Sequence, residues 1–232
     1  MTMRPKEKTI SWRKRSSWVA VFDVLGFSNM MSEAEKDFPR ALLTSKLDEL
    51  IQSLDSEEKR HGKLEHLMFS DTLVLFGPTF KSYAWFLLQC KNLIKDSIRL
   101  RLPLRGAISY GTTFSASRQR MVIGQPFLDA YRYCEDQNWV GLLLTPLAVK
   151  TVRDNGLEPL RHDFVEGPIP LRAQPSDGAL AYRFQNGQSS FDNPLIPWLE
   201  EMQQFAPENA KGKFTLTIDH IRRHHQGLIR GE

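Results

Sequence analysis

Cysteine and long apolar runs are both scarce in this sequence. Its 232 residues include only two cysteines, Cys90 and Cys134, and both fall inside apolar helical patterns, where a thiol behaves as a small buried hydrophobic group. This pattern excludes a disulfide framework and a cysteine-rich zinc site. No stretch approaches the roughly 18 uninterrupted apolar residues of a membrane span, and the N-terminus lacks the apolar core of a secretory signal. We therefore expect a cytoplasmic protein with no membrane span.

Motifs for nucleic-acid binding are also missing. The formal net charge is +4, and Arg13, Lys14 and Arg15 cluster near the N-terminus. This mild basic bias is compatible with a polyanionic ligand. Because the chain has no RNP-like aromatic pattern, no helix-turn-helix signature and no zinc finger, we predict that it does not bind nucleic acid.

The composition is that of an ordinary globular protein with one principal domain. Hydrophobic residues make up 41% of the chain and charged residues 25%, without low-complexity runs. We predict a basic N-terminal tail over residues 1–16 and a main domain over residues 17–185. Residues 186–232 are expected to form a C-terminal helical extension, packed on the domain or on a dimer partner.

The hydrophobic periodicity of the main domain predicts the element order βαββαβ. Strand-like runs alternate with amphipathic helical stripes, and Ser70-Asp71 alone separates two of the strands, which is the spacing of a tight hairpin. This order is typical of an α+β, ferredoxin-like unit. The predicted segments are residues 18–22, 43–54, 64–69, 72–76, 83–94 and 104–110.

Connection rules for that unit bring three distant polar residues together. The third strand is expected between the first and the second, antiparallel to both, because the crossover between the first two is right-handed. Asp23 at the end of the first strand then lies beside Asp71 at the start of the third. If the fourth strand flanks the first, Arg105 points toward the same edge.

Two carboxylates at one sheet edge are suited to two-metal phosphoryl or nucleotidyl transfer, since hard oxygens bind Mg²⁺ or Mn²⁺. Alternatively, Asp23 and Asp71 serve only as turn and capping residues, but their predicted convergence favours the metal site. A glycine turn that opens a helix presents unpaired N–H groups to phosphate. The predicted triphosphate cradle consists of the backbone amides of Val24, Leu25, Gly26 and Phe27.

Four motifs resemble, in order and spacing, those of class III adenylate and guanylate cyclase catalytic domains across residues 17–185. They are FDVLGF (22–27), FSD (69–71), RGAISYG (105–111) and GQPFLDAYR (124–132). The resemblance implies that Asp23 and Asp71 hold two divalent metal ions and that Arg105 contacts the triphosphate. It also implies a homodimer with composite sites, in which Arg132 stabilises the transition state at the partner's metals.

Departures from the family pattern concern the ribose, a phosphate and the base. Leu128 stands where the family has a ribose-positioning asparagine. Pro168 stands where a phosphate-binding lysine is usual, so Arg172 is the predicted substitute. Leu67 and Met121 occupy the base-reading positions and lack the polar groups that select purines, which argues for another base.

The pattern, including AYRYCEDQNW (130–139), is most similar to the pyrimidine cyclases of prokaryotic Pycsar anti-phage systems. This resemblance implies conversion of UTP to cyclic UMP, or alternatively of CTP to cyclic CMP, as an alarm signal for a separate effector protein. A catalytically inactive nucleotide-binding sensor with the same fold is the alternative from another class. A diguanylate cyclase is disfavoured because the hairpin reads FSD, without a GGDEF-like sequence.

Several polar residues outside these motifs are interpreted as structural or solvated. His220, His224 and His225 lie in a strongly charged helical segment, which favours a solvated helix over a metal site. Asp129 and Glu135 are interpreted as solvent-facing helix residues, with Asp129 also a candidate for positioning substrate.

Overall fold

A computed structural model describes residues 12–34, 39–55, 64–77, 79–116, 121–157, 163–184 and 194–230. The strands within these ranges are β1 (Arg13–Val24), β2 (Glu65–Phe69), β3 (Thr72–Phe76), β4 (Leu104–Ala116), β5 (Met121–Gly124), β6 (Gly141–Leu144), β7 (Phe164–Val165) and β8 (Leu180–Tyr182). The helices are α1 (Phe27–Ala34), α2 (Pro39–Asp55), α3 (Tyr83–Arg99), α4 (Gln125–Asp136), α5 (Pro146–Asp154), α6 (Leu195–Phe205) and α7 (Glu208–Arg230). None of the helices in these ranges combines the length and apolarity needed to cross a membrane.

The strands form one mixed sheet in the order β2-β3-β1-β4-β6-β8-β7, with β5 paired to β4. β3 lies between β1 and β2 and is antiparallel to both, and β4 flanks β1 antiparallel. The predicted βαββαβ order and the α+β class are therefore confirmed. β1 starts at Arg13, within the segment predicted as a basic tail, because the long β4 pairs with it over its whole length.

Helices cover both faces of β1, which explains its uninterrupted apolar run from Trp18 to Phe22. On one face, Trp18 packs against Tyr83 of α3, with ring centroids 4.8 Å apart. On the other face, α4 packs across β1 and β4. Gly106 of β4 is required beside Phe22 of β1, since a Cβ at this position would lie 2.4 Å from the Phe22 ring.

The C-terminal helices α6 and α7 are part of this hydrophobic core rather than a peripheral addition. Leu199 and Ile221 are fully buried. The Thr217 hydroxyl accepts a hydrogen bond from the Val140 amide at 2.9 Å, which fixes α7 against the sheet. The described part of residues 186–232 thus packs on its own domain.

His220 contradicts the interpretation of α7 as a solvated helix. Its side chain is buried, its Nε2–H donates to the Tyr182 carbonyl oxygen at 2.9 Å, and its ring packs 4.7 Å from the Trp139 ring. The apolar stripe of α7 includes this position, and the hydrogen bond satisfies the imidazole there. The side chain of His225 lies outside the described residues.

Acid should destabilise the protein through His220. Burial first, and then His224, lower the pKa of His220 from 6.5 to about 4. The folded state therefore favours the neutral ring. As a result, the free energy of unfolding is not reduced by His220 above pH 6.5, and it falls as the pH drops from 6.5 toward 4. We expect a loss of about 2 kcal/mol at pH 5. Urea unfolding at pH 7.5 and 5.0 should show this loss in the wild type and a smaller one in His220→Gln; equal losses in both would contradict the assignment.

Candidate active site

Asp23 and Asp71 line one polar cavity of about 420 Å³ at the edge of the sheet where β1 ends. Strand register creates this convergence: Asp23 faces Thr72 on β3 and Arg105 on β4. The amide of Val24 donates to the carbonyl oxygen of Asp71 at 3.1 Å, which holds the hairpin turn against β1. The cavity is lined by Asp23, Val24, Leu25, Gly26, Phe27, Ser28, Asn29, Asp71, Thr72, Arg105, Tyr131, Glu135 and Lys213.

Arg105 is buried and holds Asp23 in place. Its Nε donates to Oδ2 of Asp23 at 2.8 Å, and its Nη2 donates to Oε1 of Glu135 at 2.9 Å. Its Nη1 donates to the carbonyl oxygens of Glu135 and Gln137. Every nitrogen of the guanidinium thus binds a protein oxygen, so the contact of Arg105 with a triphosphate stays a prediction. Burial raises the pKa of the Asp23 carboxyl above its usual value, against the opposing effect of Arg105.

Two acidic residues of α4 are not the solvent-facing groups that the sequence suggested. Glu135 forms the ion pair with Arg105 and lines the cavity. Asp129 accepts a hydrogen bond from the Ser109 hydroxyl at 2.7 Å. The sequence did not show these contacts, because they depend on the packing of α4 over β4.

The amide cradle is smaller than predicted. The amides of Val24 and Leu25 donate to the carbonyl oxygens of Asp71 and Pro103, so they are engaged within the protein. The predicted amide donors that remain are those of Gly26 and Phe27, where α1 begins. Gly26 has a φ of +77°, which favours glycine. The helix N-terminus adds a partial positive charge at this point.

The donor set fits divalent cations. Among the described residues there is no cluster of three or more His, Cys, Asp or Glu side chains arranged to hold a metal. The two hard carboxylates of Asp23 and Asp71 share the cavity, and Mg²⁺ usually takes one or two carboxylates and completes its shell with water and substrate phosphate. The assignment of Asp23 and Asp71 as metal ligands stays a prediction.

The remaining predicted site residues lie apart from this cavity. Arg132 is exposed on α4 and does not line this cavity, so its role at a partner's site stays a prediction. Arg172 is exposed, and its amide donates to the Asp136 carbonyl oxygen at 3.1 Å. Leu67 is exposed on β2, whereas the side chain of Met121 on β5 lies outside the described residues. The base pocket therefore stays a prediction.

Lys213 is the cavity residue that motif matching missed. It lies on α7, in the segment after the four motifs, and it reaches the cavity that Asp23 and Asp71 line. Burial lowers the pKa of its ammonium group, as do Arg105 and Arg172, while Asp23 and Glu135 oppose them. One signal was present in the sequence: a lysine one residue before Phe214, at the edge of the apolar stripe Phe214, Ile218, Ile221.

Solved structures of nucleotide cyclases share this architecture. The chain is similar to the catalytic core of a rhodopsin-guanylyl cyclase with converted specificity, in complex with ATPαS, at 14% identity and a TM-score of 0.54, covering 74% of this chain and 96% of that one. It is also similar to the adenylyl cyclase CyaB from P. aeruginosa, at 16% identity and a TM-score of 0.52 over 74% and 93%. A third likeness is to the guanylate cyclase domain of RhGC from Catenaria anguillulae in complex with GTP, at 13% and a TM-score of 0.51 over 73% and 95%.

No protein-family model and no curated protein sequence matches the chain. The structural likenesses show the fold: the chain has the fold of class III adenylyl and guanylyl cyclase catalytic domains. The predicted fold class is thereby confirmed.

Proposed function

We propose that this protein is a nucleotidyl cyclase that converts UTP into 3′,5′-cyclic UMP and pyrophosphate. The observation that carries the proposal is the meeting of Asp23 and Asp71 in one polar cavity, beside a glycine turn that opens a helix. In a cyclase fold this is the arrangement required by two-metal nucleotidyl transfer. The ribose 3′-hydroxyl attacks the α-phosphorus, and pyrophosphate leaves.

Each residue contributes a distinct part of this reaction. Asp23 and Asp71 would hold two Mg²⁺ or Mn²⁺ ions, which when bound lower the pKa of the attacking hydroxyl and neutralise the triphosphate. Arg105 keeps the Asp23 carboxylate oriented toward the cavity through its 2.8 Å hydrogen bond. The amides of Gly26 and Phe27 donate to the phosphates, and Arg132 of a second copy stabilises the charge that develops on the α-phosphate.

An exposed apolar surface supports the homodimer that this role of Arg132 needs. Strand register places Phe69 on the same sheet face as Asp23, through Thr72. That face is covered by α4 over β1 and β4, yet Phe69 is 80% exposed and Leu67 is 48% exposed. Exposed apolar side chains next to one another indicate an interface. A second copy placed here would lie beside the catalytic edge.

A pyrimidine substrate is proposed from the base-reading positions. The Leu67 side chain cannot form a hydrogen bond with a purine. A site without hydrogen-bonding groups at this position does not select purines over pyrimidines. UTP is preferred over CTP only on the resemblance to pyrimidine cyclases. The same resemblance supports a cytoplasmic role in anti-phage defence, with a separate effector protein that senses the cyclic product.

Turnover of individual nucleotides tests the proposal. The purified protein is incubated with ATP, GTP, CTP or UTP in the presence of Mn²⁺, and products are identified by mass and by comparison with 2′,3′- and 3′,5′-cyclic standards. We expect 3′,5′-cyclic UMP and at least about tenfold less product from each other nucleotide. Cyclic CMP as the main product would identify CTP as the substrate. Cyclic AMP or cyclic GMP would contradict the interpretation of Leu67 as a position that does not select purines. Binding without turnover of any nucleotide would favour the inactive sensor.

A further inference from the structure

α7 is rigidly attached, so the position of Lys213 is determined by the fold. Phe214 and Ile218, which follow it on the helix, are both 4% exposed. One turn after Lys213, Thr217 binds the Val140 amide at 2.9 Å, and His220 binds the Tyr182 carbonyl oxygen at 2.9 Å. These contacts prevent the helix from sliding along the sheet. The packing of α7 therefore holds Lys213 at the catalytic cavity.

The side chain of Lys213 lies at the junction of two cavities. It lines the polar cavity with Asp23 and Asp71, and it also lines a larger, mostly apolar cavity of about 730 Å³ beside Met202 and Phe214. A lysine stem lies along apolar surface while its ammonium group reaches a polar region. This position between an apolar and a polar cavity suits a lysine, which has an apolar stem and a charged end.

The ammonium group of Lys213 has no ion-pair partner among the described residues. Within the described part of the chain, no hydrogen bond or ion pair of Lys213 Nζ is present, whereas Lys211, two residues earlier, pairs with Glu208 at 2.6 Å. The carboxylates that influence Lys213, those of Asp23 and Glu135, are both bound by Arg105. A partly buried ammonium group that lacks a carboxylate partner is suited to bind an anionic ligand, because burial of an unpaired charge costs free energy.

Of the two cations among the described residues that line the polar cavity, Arg105 is committed to protein oxygens, which leaves Lys213 to bind phosphate. A lysine is suited to this task because its ammonium group is a flexible point charge that adapts to phosphate oxygens.

We propose that Lys213 binds the terminal phosphates of the nucleoside triphosphate, so that α7 contributes directly to the active site. The proposal rests on the proposed function for the identity of the ligand as a triphosphate. Lys213 then takes the role of the family's phosphate-binding lysine, whose position is occupied by Pro168 and for which the sequence suggested Arg172. It does so from a helix that follows all four cyclase-like motifs. Lys213 acts on substrate affinity and on the departure of pyrophosphate.

Binding of inorganic tripolyphosphate tests Lys213 without requiring turnover. Calorimetric titration of the full chain with tripolyphosphate and Mn²⁺ should give an affinity that falls about tenfold or more in Lys213→Met and is restored to within about threefold in Lys213→Arg. Lys211→Met is the matched control, since Lys211 lies on the same helix but pairs with Glu208. Unchanged affinity in Lys213→Met, or no binding by the wild type, would overturn the inference.

A second measurement uses only the wild-type protein and so does not depend on the folding of a variant. Lysine acetylation is followed by mass spectrometry with and without saturating tripolyphosphate and Mn²⁺. We expect acetylation of Lys213 to slow about tenfold and that of Lys211 to change less than about twofold. Equal protection of both lysines would contradict the proposal. If tripolyphosphate protects Lys213 but no nucleotide is cyclised, the proposed cyclase activity fails while the phosphate site stands.

Discussion

Replacement of Asp71 by asparagine is expected to lower cyclase activity at least about 1000-fold while the fold is retained. Asparagine has the same shape as aspartate, but it removes one of the two negative charges that the cavity offers to metal ions. The hydrogen bond that joins the hairpin to β1 uses the backbone carbonyl of Asp71 and survives the substitution. Product formation measured by mass over long incubation, with Mn²⁺ varied, checks the size of the loss.

The matched control for this prediction is Asp154→Asn. Asp154 is exposed, pairs with Lys150 on the same helix and does not line the cavity, so its replacement should leave activity within about twofold. Thermal unfolding of both variants should resemble that of the wild type. Activity of Asp71→Asn within about tenfold of the wild type would remove Asp71 from the metal site.

Arg132→Ala and Asp71→Asn are each expected to be inactive, yet a mixture of the two is expected to recover about a quarter of wild-type activity. If each site takes its aspartates from one chain and Arg132 from the other, a mixed dimer carries one intact site and one doubly damaged site. Random exchange makes half of the dimers mixed, and half of their sites are intact. Activity of the separate and the mixed, re-equilibrated variants measures the recovery.

The control for this experiment is a mixture of Asp71→Asn with the double variant Asp71→Asn, Arg132→Ala, which contains no intact site in any combination. It should stay inactive. Recovery in this control, or no recovery in the test mixture despite demonstrated exchange of chains, would argue against a composite site. Full activity of Arg132→Ala would instead return Arg132 to the role of a surface residue, since it is exposed on α4.

The parts of the site that the sequence predicted are those that depend on local pattern and on connection rules. Ser70-Asp71 separates two strand-like runs, so the hairpin was evident, and the right-handed crossover placed β3 beside β1. Together these rules brought Asp23, Asp71 and Arg105 to one edge, as the register of β1 with β3 and β4 confirms.

The missed features depend on how distant elements pack. Glu135 reaches Arg105 only because α4 lies over β4, and the amide of Leu25 is taken by the carbonyl oxygen of Pro103, which is far away in the sequence. Lys213 was missed for the same reason, since α7 reaches the catalytic cavity only through its packing on the sheet. The hydrophobic periodicity of one segment does not show which other segment it packs against.

The anchoring of α7 also has a consequence for synthesis of the protein. Thr217 of α7 binds Val140, which lies 77 residues earlier in the sequence, and His220 of α7 packs against the Trp139 ring. A growing polypeptide cannot complete this part of the core until α7 has emerged from the ribosome. If Lys213 is needed for substrate, a chain that stops before α7 lacks activity, so the active site forms only after all four cyclase-like motifs and α7 have been synthesised.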